Sequence, residues 1–147
     1  MDPTLEIIIA CMNALKADEV VSSYVGNKIY DRVPEKRDNT GITLPDVISP
    51  YISLGATSLI TEDYDCLDSV IINIQWNVWS WGNDEAYSSA EVRKIAFAVR
   101  KCLHKIEIDL NQNGFVDLQI SLINYSRAAD GVTNQATLTF EALVDIK

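Results

Sequence analysis

The sequence predicts an α+β domain: an antiparallel β-sheet of about five strands, with a long helix and an N-terminal helix packed on one face. Three observations carry this. Residues 70–81, VIINIQWNVWSW, alternate with a period of two: Val70, Ile72, Ile74, Trp76 and Val78 share one parity, while Ile71, Asn73, Gln75, Asn77, Trp79 and Trp81 share the other. That is the pattern of a strand with one face on a core and one face wet. Val92, Ile95, Ala96, Val99, Cys102, Leu103 and Ile106 instead repeat at helical spacing and make one apolar stripe to lie on the sheet. Only one strand pair brackets that helix, which favours α+β over a doubly wound fold.

The elements follow in order. Asp2 and Pro3 read as N-cap and first helical position, with Leu5, Ile8, Ile9, Met12 and Leu15 spaced for a helix to about Ala17. Asp18 caps a second short helix carrying Val20, Val21 and Tyr24, stopped by Gly26. A short strand spans 28–33 before Pro34, and residues 35–49 form the longest polar stretch, expected as a mobile loop. Pro50 opens a strand in which Gly55 marks a bulge or a close backbone approach. An acidic loop, Glu62 to Asp68, leads into the alternating strand.

After Trp81 and the turn residues Gly82, Asn83 and Asp84, a helix begins between Asn83 and Ser88. Asp84 is one candidate cap, and Ser88 with Glu91 has capping-box spacing. Two strands close the chain. Val116, Leu118, Ile120 and Leu122 line one face of the first; Ala136, Leu138, Phe140, Ala142, Val144 and Ile146 line one face of the second, with a turn around Asp130-Gly131 between them.

At 147 residues, the chain reads as a single domain over 1–147 that can bury a core without disulfides or metal. A formal net charge of −9 argues against a nucleic-acid-binding surface, because phosphate contacts come mainly from Lys and Arg. Cys11, Cys66 and Cys102 form no C-x-x-C pair and are odd in number. Cys11 and Cys102 read as small buried hydrophobes, and Cys66 as an accessible, reactive thiol. The N-terminal run has no basic leader and contains Glu6, so no signal peptide is expected, and no apolar stretch is long enough to span a bilayer. The expected compartment is a cytoplasm.

Catalytic chemistry is sought and not found. His104, the one histidine, lies in the last turn of the second long helical pattern, where a cation suits the helix dipole, and has no nucleophile near it in sequence. There is no G-x-S-x-G elbow, P-loop, G-x-G-x-x-G or H-E-x-x-H. Asp109, Asn111, Asn113 and Gly114 match the first half of an EF-hand loop, but Ile120 stands where a bidentate Glu is needed, so a tight Asn-Gly turn is expected instead. No catalytic residue, metal ligand or cofactor is assigned. Trp76 belongs to the core parity. Trp79 and Trp81 serve either a satellite cluster under a helix end or a subunit contact.

In order and spacing, the landmarks resemble the tail-completion, or tail-terminator, proteins of long-tailed non-contractile phages. They are Leu15, Val21 and Val25-Gly26; Ile29-Tyr30-Asp31 with Val33-Pro34; Leu44-Pro45; Pro50-Tyr51-Ile52-Ser53-Leu54-Gly55; and Val78-Trp79-Ser80 before Gly82 and Glu85-Ala86. The likeness runs from about Leu5 to Val144. It implies a structural, non-enzymatic virion subunit that forms a six-membered ring, caps the tail tube and joins the tail to the head. The implied partners are further copies of itself, the tail tube protein and a head-completion or neck protein, with DNA passing through the ring without specific binding and no membrane involved. The subunit would be assembled in the host cytoplasm and reside at the head–tail interface. Ring contacts are heterologous, and Arg37, Tyr64, Asp65, Trp79 and Trp81 are the candidate subunit or partner contacts. The competing readings are another neck or head-closure component, and a small acidic cytoplasmic enzyme or ligand-binding domain.

Overall fold

The computed structural model describes residues 2–64, 67–82, 88–108, 110 and 113–146, with backbone alone at 62–64, 67, 115 and 116. Among the described residues ten elements follow one another: α1 (Pro3–Ala17), α2 (Glu19–Val25), β1 (Ile29–Tyr30), β2 (Glu35–Arg37), β3 (Thr43–Pro45), β4 (Tyr51–Tyr64), β5 (Leu67–Ser80), α3 (Ala90–Leu103), β6 (Gly114–Arg127) and β7 (Asn134–Asp145). The main sheet has the order β1-β4-β5-β7-β6, and β2 with β3 forms a separate ribbon. The expected α+β architecture is present, with one difference. The sheet is mixed, because β1 runs parallel to β4, pairing Ile29 with Ile52 and Tyr30 with Ser53.

Local chemistry explains the helix ends. Asp2 caps α1 by accepting from the Thr4 N–H at 2.8 Å, and Asp18 caps α2 by accepting from the N–H groups of Val20 and Val21, both at 3.0 Å. Gly26 ends α2 at φ 61°, a conformation glycine adopts without a Cβ penalty. The Ser88–Glu91 capping box does not form. The N-cap is Ser89, the Ser88 hydroxyl accepts from Ala90 N–H, and the Glu91 carboxylate is drawn away to accept from the Ser80 hydroxyl at 2.7 Å. The other proposed cap, Asp84, lies outside the described residues. At 14 residues α3 is one shorter than α1, so it is not the dominant long helix that the apolar stripe predicted.

One core holds the three helices to one face of the sheet. Val70, Ile72, Ile74, Trp76 and Val78 of β5 and Ala136, Leu138, Phe140, Ala142 and Val144 of β7 are buried. Over them lie Val92, Ile95, Ala96, Val99 and Leu103 of α3, with Ile7, Cys11 and Leu15 of α1 beside them. The parity reading of β5 and β7 is therefore correct. Trp76 has no exposed surface, and its indole N–H lies against the Cys11 thiol, with no oxygen or nitrogen acceptor beside it. Burial pushes the Cys11 thiol up to about 12 and that of half-buried Cys102 to about 12 as well. Cys66 lies outside the described residues.

Four expectations are corrected. Residues 35–49 are not simply a loop: β2 and β3 pair from Glu35–Pro45 to Arg37–Thr43. Their turn is held by Asp38, which accepts from Thr40 N–H, the Thr40 hydroxyl and Ile42 N–H. The acidic segment at 62–68 is largely strand, with Glu62 opposite Ser69 and Tyr64 opposite Leu67. The strand expected over 28–33 is two residues long. In β6, register shifts between Phe115 and Asp117 and between Ile120 and Leu122 break the simple alternation. After the second shift Leu122 faces outward, 59 % exposed, while Ile123 and Tyr125 pack on the core. An extra residue on one strand reverses the side-chain parity of everything after it.

The other face of the sheet is polar around Asn77. The Thr137 hydroxyl donates to Asn77 Oδ1 at 2.8 Å and the Gln135 amide to the same oxygen at 3.3 Å, tying β7 to β5. Gly55 lies where β4 shifts register, between Leu54 and Thr57. A Cβ there would come within 2.8 Å of Asn77 Nδ2 and 3.0 Å of Gln75 Cβ, so the close approach inferred from the sequence is present.

His104 caps the C-terminal end of α3, and its Nδ1 accepts from the Ile120 N–H at 3.1 Å. Asn113, from the partial EF-hand pattern, is buried and donates to Glu6 Oε1 at 2.8 Å, and Gly114 opens β6. Asp109 and Asn111 lie outside the described residues.

Two expected outcomes test this packing. Trp76→Ala should cost about 3–5 kcal/mol and abolish the cooperative thermal transition or shift it sharply downward. His104→Ala should cost about 1 kcal/mol, because it removes one hydrogen bond from the edge of β6. Urea unfolding followed by tryptophan fluorescence measures both.

Candidate interaction surface

Among the described residues, no three His, Cys, Asp or Glu side chains converge as a metal site, and no helix is long and apolar enough to cross a membrane. The most elaborated surface is instead the end of the sheet where β4 begins and β5 ends.

That end is built from aromatic rings and a strapping ribbon. Tyr51 and Trp79 are directly opposite on β4 and β5, and their rings stack with centroids 6.2 Å apart and planes at 19°. The Trp79 indole N–H donates to the Ser53 hydroxyl at 2.9 Å. Trp79 is thus half-buried and engaged, although its parity marks it as wet. Trp81, just beyond β5, is 49 % exposed, and its backbone N–H donates to the Ser49 hydroxyl at 2.8 Å. The β2–β3 ribbon lies over this end and leaves a cleft of about 230 Å³ lined by Val33, Leu44, Pro45, Tyr51, Trp79 and Asp130 among others. A larger recess of about 750 Å³ opens beside it, between Lys28, Tyr30, Ile48 and Trp81.

The strap is held by few bonds. Asp46 N–H donates to Pro34 O at 2.6 Å, the Lys28 ammonium donates to Ile48 O at 2.8 Å, and Lys36 and Asp46 pair at 3.8 Å. This last pair is solvent-exposed and contributes little. Three apolar side chains on or near the strap, Ile42, Leu44 and Ile48, are exposed at 60 %, 39 % and 75 %. They sit in the stretch read from sequence as merely polar. Three aliphatic residues among charged neighbours were the available signal for a contact surface there.

The β6–β7 turn closes the same end. Asp130 accepts from the N–H groups of Val132 and Thr133, both at 2.9 Å, and from the Thr133 hydroxyl at 2.6 Å. The Thr133 hydroxyl bond, followed by its backbone bond, holds the Asp130 carboxyl below the ordinary value of 3.8. Burial raises the Tyr51 phenol, and the nearby Asp130 charge adds to the shift.

Four of the five candidate contacts fall among the described residues, and they divide between two ends of the molecule. Arg37 is exposed on β2, and Trp79 and Trp81 occupy the strapped end. Tyr64 closes β4 at the opposite end, 13 residues beyond Tyr51, about 40 Å away along an extended strand. The next residue, Asp65, lies outside the described residues.

Asp130 provides a test of the turn. A carboxyl depressed in the folded state stabilises above its unfolded pKa, and this contribution disappears as pH falls through the folded value. Asp130→Ala should therefore melt below wild type at pH 7. The gap should close as the pH is taken from about 5 to below about 3, followed by circular dichroism melts.

Comparison with known proteins places the chain in a family. The model of the family described as "Tail completion protein gp17" matches residues 10–145. A solved structure titled "Virion of native gene transfer agent (GTA) particle" contains a chain with TM-score 0.77 and 22% identity, covering 93% of this chain and 92% of that one. At that identity the likeness establishes the fold. No curated protein matches. The family match spans nearly the whole chain, so the protein belongs to the tail completion protein gp17 family and is a structural component of a phage-type tail.

Proposed function

We propose that this chain is the subunit of a ring that terminates the tail tube and joins the completed tail to the head. The observation that carries the reading is the family match over residues 10–145. The surface described above supports it. A ring subunit needs dissimilar contact surfaces for its neighbours, and two more for the objects above and below it. The 14-residue strands of β4 and β5 separate two such ends. Trp81, Arg37 and the exposed aliphatic residues of the strap serve one; Tyr64, which ends β4, and the sequence candidate Asp65 serve the other. Trp79 acts from beneath, by fixing Tyr51 and the floor of the cleft. The net charge of −9 suits a channel through which DNA slides without adhering.

The partners under this reading are further copies of the chain, the tail tube protein and a neck protein. Particles made without the protein should carry overlong or polydisperse tails unattached to heads, seen by electron microscopy. Tails of normal length beside heads that fail to retain DNA would assign the chain to head closure instead. Trp81→Ala and Ile48→Ser should melt within a few degrees of wild type, since both side chains are exposed, yet lower tail completion by at least tenfold. Full completion by both variants would remove this end from the contact surface.

A further inference from the structure

We propose that neighbouring copies join edge to edge. The outer edge of β6 in one subunit pairs antiparallel with the outer edge of β4 in the next, so that the sheets run on as one closed sheet around the ring. This rests on the ring reading above and names the surface that closes it.

Both edges of the main sheet are open over part of their length. Its order places β1 and β6 outermost, and β1 covers only Ile52 and Ser53 of β4. From Leu54 to Thr61, β4 has β5 on one side and, among the described residues, no strand on the other. The β6 edge is closed over its first half and open over its second. Lys105 N–H donates to Leu118 O at 2.8 Å, and Ile120 N–H donates to His104 Nδ1 at 3.1 Å. From Leu122 to Ser126, β7 is the only strand beside it among the described residues.

Natural sheets protect such edges with Lys, Pro or inward charges, because an open row of N–H and C=O groups recruits further strands. Neither segment has this protection. Residues 54–61 read LGATSLIT and residues 122–126 read LINYS, with no charge and no proline in either. Each also presents an aliphatic side chain on the polar face: Ile60, opposite Ile71, is 52 % exposed, and Leu122, opposite Thr139, is 59 % exposed. The strand directions agree. β4, β5, β7 and β6 alternate, so β4 and β6 run in opposite senses and meet antiparallel when copies stand side by side.

The register follows from the same pairings. Leu122 is level with Gln75 through Thr139, whereas Ile60 is level with Ile71, four residues along β5. Matching Leu122 to the neighbour's Ile60 therefore staggers the subunits by an even number of residues, which keeps the core side and polar side continuous. A stagger of one sign is what a closed, tilted sheet requires. The His104 cap, by closing the first half of β6, leaves only the staggered half available.

The test is a charge exchange across the proposed seam. Ile60→Glu and Leu122→Lys alter exposed side chains, so each variant should fold and melt like wild type. Each alone should lower the ring fraction at least tenfold, measured by light scattering after size exclusion and by electron microscopy on tube ends. The double variant should recover it through an opposite-charge cross-strand pair. Backbone amides of residues 123–126 should also exchange more slowly in the ring than in the monomer. Rings formed normally by both single variants, or equal exchange in ring and monomer, would overturn the edge pairing and leave the ring standing. Absence of rings in the wild type, alone and on tube ends, would overturn both.

Discussion

The unbroken pairing of β5 with β7 is the constraint on which the rest of the structure depends. Every residue from Ser69 to Ser80 has a partner on β7, from Asp145 to Asn134, with no register shift. This central ladder carries five buried apolar residues on each strand, and α3 lies across them. Register slips are expensive there, since a slip of one residue would turn a whole apolar row into water. The shifts that do occur are in the flanking pairings, in β4 near Gly55 and at two points in β6. Bulges bend and twist strands, so the sheet is rigid at its centre and shaped at its edges, where a subunit must fit other molecules.

Within that core, Trp76 is the largest fully buried side chain, and its N–H meets only the Cys11 thiol, a weak acceptor. A buried donor without a strong acceptor costs up to about 3 kcal/mol, which the burial of a large aromatic surface outweighs. The polar groups are organised differently on the opposite face. There amides and hydroxyls of Asn77, Gln135 and Thr137 bond across strands and need no covering element. A sheet with one oily and one self-satisfied polar face can stand with helices on one side only, leaving its edges and ends for partners.

Much of this was legible in the residues. Strict alternation in β5 and β7 identified the core face and placed Trp76 in it, and the Asp2, Asp18 and Gly26 signals located the first two helices. The β2–β3 ribbon was not legible, because three-residue strands with charged side chains carry no hydrophobic period and are held by the Asp38 turn. The outward turn of Leu122 was hidden for a related reason. A bulge changes parity without leaving a composition signal, so the apparent row from Leu118 to Leu122 continued straight through it. At the strapped end, Trp79 and Trp81 drew notice, but the aliphatic side chains of Ile42, Leu44 and Ile48 did not. Their exposure depends on where the ribbon lies, not on their neighbours in sequence.

Sequence by itself determined the class of fold, the inward face of the central strands, the absence of known catalytic motifs and the likeness to tail-completion proteins. Each of these is written in local spacing and residue type, which survive without knowledge of long-range contacts. Tertiary structure alone decided which strand stands at each edge, that β7 inserts between β5 and β6, and that β1 runs parallel beside β4. It also decided that His104, isolated in sequence, closes half of one edge by accepting from Ile120, 16 residues away. Those outcomes belong to pairings between distant segments, whose free energies depend on the whole sheet being assembled and leave no periodic trace in any one stretch of chain.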